Sequence, residues 1–141
     1  MIVPDLNLLL YAYNYGAPFH DAARRWWEAS VNGSERVGVP WAVSTGFVRL
    51  MTHPRVLADP ATPSTAAGYV DEWFRLANVI PLNPGRDHLA LFRRCLAAAG
   101  VGANLVTDAH LAALAMEYQA ELHSTDTDFS RFPGLRWRNP L

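Results

Sequence analysis

What most constrains this chain is an alternation. Short apolar runs recur along it ("MIVP", "RVGVP", "VIPLN", "ELHST", "LRWR"), and stretches of helical length separate the first four. Parallel strands need a crossover connection, usually a helix, and they are buried on both faces, so they read as short apolar runs. The expected class is therefore α/β, a central parallel sheet of four to five strands flanked by helices.

The helical stretches carry their own punctuation. After "DLN", the run "LLLYAYNYG" suits a helix, and "PFHDAARRWWEASVNG" opens on a proline and closes on a glycine. "WAVSTGFVRLMTH" stops before Pro54, "RVLADPATP" is a loop, and "STAAGYVDEWFRLAN" takes Ser64 or Thr65 as its N-cap. "GRDHLALFRRCLAAAG" ends at Gly100, and "NLVTDAHLAALAMEYQ" shows an apolar face at Leu111, Leu114 and Ala115. No repeat, linker or low-complexity segment interrupts this order. The 141 residues, half of them hydrophobic, are expected to form one domain, residues 1–141.

Charge and cysteine content narrow the function. The net charge of −1 gives no global field of the kind that marks a nucleic-acid binder. All twelve basic residues are arginine, however, and arginine grips phosphate bidentately. Local clusters can bind RNA, although the same bias follows from a GC-rich genome, the reading their spread favours. Cys95 is the single cysteine, so no internal disulfide forms; it reads as a small buried residue on a helix, which suits a reducing compartment. "MIVPDLNLLLYAYN" lacks a signal peptide's basic start, and no apolar stretch reaches the roughly 18 residues of a membrane span. The expectation is a cytoplasmic protein.

The chemistry lies in the acids. Ligands of an open parallel sheet bind beyond the carboxyl ends of its strands. Asp5 directly follows the first strand, and Asp126 and Asp128 follow the fourth. Asp108 lies early in the helix that precedes the fourth strand. Right-handed crossovers bring those strand ends to one edge, so the four carboxylates are expected in one cleft. Each also has a plainer reading. Asp5 is an N-cap, Asp108 complements a helix dipole, and Asp126 and Asp128 form an Asx-turn. Taken singly, the plainer readings match or lead; taken together they require three coincidences at one sheet edge.

An oxygen-only set without His or Cys suits Mg²⁺ or Mn²⁺ rather than zinc. Such ions stabilise charge at a phosphate, so the implied chemistry is phosphodiester hydrolysis. Asn7 is placed to orient a carboxylate or a water, with Thr125 and Ser124 doing the same at the other strand.

Together "IVPDLNLLLYA", "TDAHLAALA" and "STDTDFSRFPGLRW" resemble the PIN domain of VapC-type ribonuclease toxins, over essentially the full length. The resemblance implies the PIN fold, Mg²⁺- or Mn²⁺-dependent endoribonuclease activity on structured RNA such as tRNA or rRNA, and restraint by a VapB-like antitoxin. It also implies homodimers and larger toxin–antitoxin assemblies. The family's first acid maps to Asp5, its helix acid to Asp108 and its strand-exit acid to Asp126, with Asp128 accessory. One position departs: where the family commonly carries a glutamate, "WAVSTGFVRL" has Gly46. Glu121 begins its strand and so belongs at the opposite end of the sheet. Fewer charges imply weaker binding of a second ion.

Other features carry lighter expectations. Trp26 continues a stripe with Phe19, Ala23 and Ser30 and is expected in the core, leaving Trp27 about 100° away as a candidate surface anchor. Arg131, Arg136 and Arg138 are equally an RNA-phosphate contact or a solvated rim, whereas Arg24 and Arg25 read as solvated. The five histidines show no paired zinc spacing; His110 should point away from Asp108, and His123 should be structural.

Two rival functions remain for test. A catalytically weakened module would bind antitoxin or RNA without efficient cleavage, and Gly46 motivates it. An aspartyl-phosphate phosphotransferase would need its nucleophile after the first strand, an acid two residues on and a lysine; here the strand gives "DLN" and lysine is absent. A dinucleotide enzyme fails because no G-x-G-x-x-G follows the first strand.

Overall fold

The computed structural model describes residues 1–100, 102 and 105–141. Five strands form one sheet: β1 (Ile2–Pro4), β2 (Val37–Pro40), β3 (Val79–Leu82), β4 (Glu121–His123) and β5 (Arg136–Arg138). All pairings are parallel, in the order β3-β2-β1-β4-β5. The chain therefore builds outward from β1 to β3 on one side, then returns to add β4 and β5 on the other. That reversal makes the β1/β4 boundary a topological switch point, where α/β sheets bind ligands.

The helices are α1 (Leu6–Tyr13), α2 (His20–Asn32), α3 (Trp41–Met51), α4 (Pro63–Arg75), α5 (His88–Ala99) and α6 (Leu105–Glu117). Helix α1 packs on α2 and α3, α3 on α4, and α5 on α6. None of the described helices is long and apolar enough to cross a membrane. The expected first residue of the last helix, Asn104, lies outside the described residues. Gly100 ends α5 at φ 75°, the left-handed conformation glycine adopts without a Cβ penalty.

Two expectations are corrected. Helix α4 takes its cap from Thr62, whose Oγ1 accepts from Thr65 N–H at 3.2 Å, and not from Ser64 or Thr65; Pro63 fills the first helical position. The tryptophans of α2 also exchange roles. Ala23, Trp27 and Ser30 are the buried stripe, and Phe19 is half exposed. Trp27 packs edge-on against Trp73, with ring centroids 5.5 Å apart, beside Phe47 and Tyr13. Trp26 is only partly buried, and its Nε1 donates to His123 Nδ1 at 3.1 Å. Trp27 is thus a core residue and no surface anchor.

Candidate active site

Register places the first acid. Pro4 pairs with His123 across β1 and β4, and the Asp5 amide donates to the His123 carbonyl at 2.9 Å. Asp5 and Ser124 consequently leave the sheet side by side. Asp5 is 9% exposed. Its Oδ1 accepts from Leu6 N–H at 2.7 Å, which caps α1, and its Oδ2 accepts from the Ser124 hydroxyl at 2.6 Å. The same Ser124 Oγ accepts from Asn7 Nδ2 at 3.1 Å and from Asp126 N–H at 3.0 Å. One hydroxyl has used its donor and both acceptor positions, and it ties three residues of the site together. Thr125, expected in this part, makes none of these bonds.

Asp126 Oδ1 accepts from Asp128 N–H at 2.8 Å, an Asx-turn that opens the 3₁₀ turn Thr127–Arg131. Asp128 Oδ1 meets Arg131 Nε at 3.0 Å. The plainer jobs expected of Asp5 and Asp126 are therefore performed, and they aim the acids rather than replace the site.

Asp108 sits in the first turn of α6. Its carboxyl is pushed up to about 6, first by burial and then by the charges of Asp5, Asp126 and Asp128. The Asp5 carboxyl is also raised by burial, against the hydrogen bonds from Ser124 and Leu6 that favour its charge; Asp126 adds repulsion. Asp5 has two donors to hold its charge, so the strain of the cluster falls on Asp108. Asp108 thus lies within the fields of the other three acids, and Asp5 within that of Asp126.

Among the described residues, no three Asp, Glu, His or Cys side chains are gathered closely enough to grip an ion by themselves. The acids form an open ring rather than a closed cage. That suits Mg²⁺, which keeps several waters and takes one or two carboxylates directly. Two observations support the fit. Mutual repulsion at Asp108 is what a cation would relieve, and Asn7 Oδ1 is buried without a hydrogen-bond partner.

The remaining candidates fall outside the ring. A Cβ added at Gly46 would come within 2.8 Å of Leu6 Cδ2, so the Leu6 side chain fills the space beside that position. His123 is buried, with its Nε2 on Glu121 Oε1 at 2.8 Å, and it braces β4. His110 turns to His88, ring nitrogen to ring nitrogen at 2.9 Å. No sequence signal announces that pair, because 22 residues separate the two. Arg136 reaches the Gln119 carbonyl, Arg138 lies 3.4 Å from Glu121, and Arg24 pairs with Glu28.

Comparison with known proteins fits this geometry. The PIN domain family model matches residues 2–135. Ribonuclease VapC33 of Mycobacterium tuberculosis is 46% identical over 141 residues, covering 100% of this chain and 99% of its own. Ribonuclease VapC37 of the same organism is 40% identical over 140 residues, covering 99% and 97%. Among solved structures, VapBC2 from Rickettsia felis bound to a promoter DNA fragment superposes with a TM-score of 0.70 at 16% identity, covering 99% of this chain and 98% of that one, and so shares the fold.

Proposed function

The chain belongs to the VapC ribonucleases of the PIN-domain family, and from that premise we propose that it is the toxin of a type II toxin–antitoxin system: a divalent-metal-dependent endoribonuclease acting as a single PIN domain and neutralised by a VapB-like antitoxin. The observation that carries the reading is the convergence of Asp5, Asp108, Asp126 and Asp128 at the β1/β4 switch point, with the Asp108 carboxyl raised by burial and then by its neighbours' charges. Solved relatives such as VapBC2 are toxin–antitoxin complexes, which supports an antitoxin partner; homodimers and larger assemblies with it belong to the same proposal. A cytoplasmic location suits the one buried, unpaired Cys95.

Asp5, Asp108 and Asp126 would hold the ion, Mg²⁺ or Mn²⁺, with Asp128 accessory. Bound there, the ion supplies positive charge to the scissile phosphate. Ser124 and the Leu6 amide keep the Asp5 carboxylate oriented and offset part of the burial that disfavours its charge. Asp108, raised to about 6, retains a proton in mildly acidic solution and gives it up as positive charge arrives. Asn7, held through its Nδ2 on Ser124, keeps a buried, unpartnered Oδ1 beside the Asp5 carboxylate's own hydroxyl donor.

The test is cleavage of purified total RNA by antitoxin-free protein in Mg²⁺, Mn²⁺ and EDTA, with end mapping, beside Asp5→Asn and Asp108→Asn. Discrete cuts that need metal and vanish in both variants are expected. A folded, metal-supplied protein that cuts nothing would support the rival reading, a binding module without efficient cleavage. Gly46 and the Leu6 side chain that fills its neighbourhood favour that second reading.

A further inference from the structure

The turn between α1 and α2 presents aromatic rings to solvent. Tyr15 is 88% exposed and Phe19 50% exposed. The Tyr15 ring leans on His20, with centroids 4.8 Å apart, and His20 is fixed in turn by its Nδ1 on the Tyr11 carbonyl at 2.9 Å. Phe19 leans on Tyr11 at 5.6 Å, and the Gly16 amide donates to Asn14 Oδ1 at 3.0 Å, closing the turn. The exposed Tyr15 face is thus backed by an anchored imidazole and open to a planar partner.

The turn lies on the same side of the sheet as the acids. Asn78, just before β3, donates to the carbonyls of Ser30 and Gly33, which sets the end of α2 at the amino edge. Trp26 is level with His123, the last residue of β4, so the six residues from Trp26 back to His20 carry α2 about 9 Å past the carboxyl edge. Helix α1 starts at Asp5 and ends at the same turn, about 12 Å away along its axis. At roughly 3.4 Å per stacked nucleotide, that is three to four nucleotides of a single strand.

Tyr15 also lines a cavity of about 560 Å³ between this turn and the α3–α4 loop, with Tyr13, Leu57, Asp59, Thr65 and Tyr69 among its walls. The volume suits a small planar ligand. Its chemistry is selective. An aromatic wall stacks on any base, whereas the Asp59 carboxylate repels phosphate and accepts hydrogen bonds. A base that offers two adjacent N–H groups on its Watson–Crick edge, as guanine does, matches a carboxylate.

We propose that the Tyr15 platform and the Asp59-edged cavity form a nucleobase subsite that takes a guanine of the single-stranded RNA, a few nucleotides from the cleaved bond. This rests on the ribonuclease reading above and assigns the residues that would set its base preference. Single-stranded RNA is commonly read in this way, by stacking on aromatics and hydrogen bonds to Watson–Crick edges.

The experiment is fluorescence anisotropy with labelled eight-nucleotide uridine strands, all uridine or carrying one guanosine or one adenosine, in EDTA so that nothing is cut. Wild type is compared with Tyr15→Ala, Tyr15→Phe and Asp59→Asn, and thermal melts check that each folds. The guanosine strand should bind wild type best. Tyr15→Ala should weaken it about tenfold or more, and Tyr15→Phe, which keeps the ring, should bind like wild type. Asp59→Asn should erase the preference for guanosine over adenosine while leaving the uridine strand unchanged. If wild type cuts RNA in metal but Tyr15→Ala binds every strand as wild type does, the subsite is wrong and the ribonuclease reading stands; the platform would then belong to a protein partner. Wild type that neither binds nor cuts RNA overturns both.

Discussion

The Ser124 hydroxyl donates to Asp5 Oδ2 at 2.6 Å, joining two residues 119 positions apart at the β1/β4 boundary where the strand order reverses. Neither residue is free to move: Ser124 is fully buried, and Asp5 is pinned from the other side by the Leu6 amide. The acid that opens the site is therefore oriented by the strand that carries its partner acid.

Ser124→Ala tests that linkage. The change strands Asp5 Oδ2, the Asn7 amide and the Asp126 N–H at once, and a buried unsatisfied group costs about 1–3 kcal/mol. Thermal unfolding should show a loss in that range, and RNA cleavage should fall by about tenfold or more. A variant as stable and active as wild type would mean the hydroxyl holds nothing.

Asp108 makes stability depend on pH. Burial and the neighbouring acids push its carboxyl from an ordinary 3.8 up to about 6 on folding, so the folded state favours the protonated form. The resulting stabilisation is fully present below about pH 4 and is lost as pH rises through about 6. Metal-free wild type should therefore melt at lower temperature at pH 7.5 than at pH 5.5, once the other groups' shared background is subtracted with Asp108→Asn. That variant should flatten the profile across this window and melt higher than wild type at pH 7.5. Parallel profiles for the two proteins would remove Asp108 from the cluster.

How much of this was legible in the sequence follows from what each feature needs. Short apolar runs between turn-forming and helical stretches mark strands by local chemistry alone, and all five appear where "MIVP" to "LRWR" place them. The acids could be gathered because strand ends of a parallel sheet share an edge. The roles of Trp26 and Trp27 were not legible. A stripe running from Phe19 puts Trp26 inside, but the structure leaves Phe19 half exposed, and only the Trp73–Phe47–Tyr13 cluster from other helices decides which indole goes inside. The α4 cap was readable in principle, since Thr62 before Pro63 has the cap-then-proline order. The Leu6–Gly46 contact and the His88–His110 pair have no local signature.

Divalent ions should reverse the penalty that the acids impose on the folded state. A ligand that binds only the native form stabilises it in proportion to the logarithm of its concentration. At pH 7.5, millimolar Mn²⁺ or Mg²⁺ should raise the melting temperature of wild type, and more with each tenfold increase above the dissociation constant. Asp5→Asn and Asp108→Asn should lose most of that rise, whereas Asp87→Asn, an exposed acid before α5, should keep it. Equal rises in all four proteins would indicate nonspecific charge screening.

Gly46 and Leu6 test why the ring stays open. Gly46→Ala gains roughly 1 kcal/mol of helix propensity but drives its Cβ to 2.8 Å from Leu6 Cδ2. The near atom is the tip of a flexible, partly buried side chain, so the net change should stay within about 1 kcal/mol. Gly46→Glu adds a longer side chain to the same crowded spot and should destabilise by about 1–3 kcal/mol without tightening metal binding. Leu6→Ala with Gly46→Glu opens the space and sets a fifth carboxylate beside Asp5. Calorimetric titration with Mn²⁺ should show the double variant binding about tenfold tighter than Leu6→Ala alone, because affinity for hard cations rises with the charge of the donor set. Equal affinities would mean that position 46 faces away from the acids, and that Leu6 is not what holds the ring open.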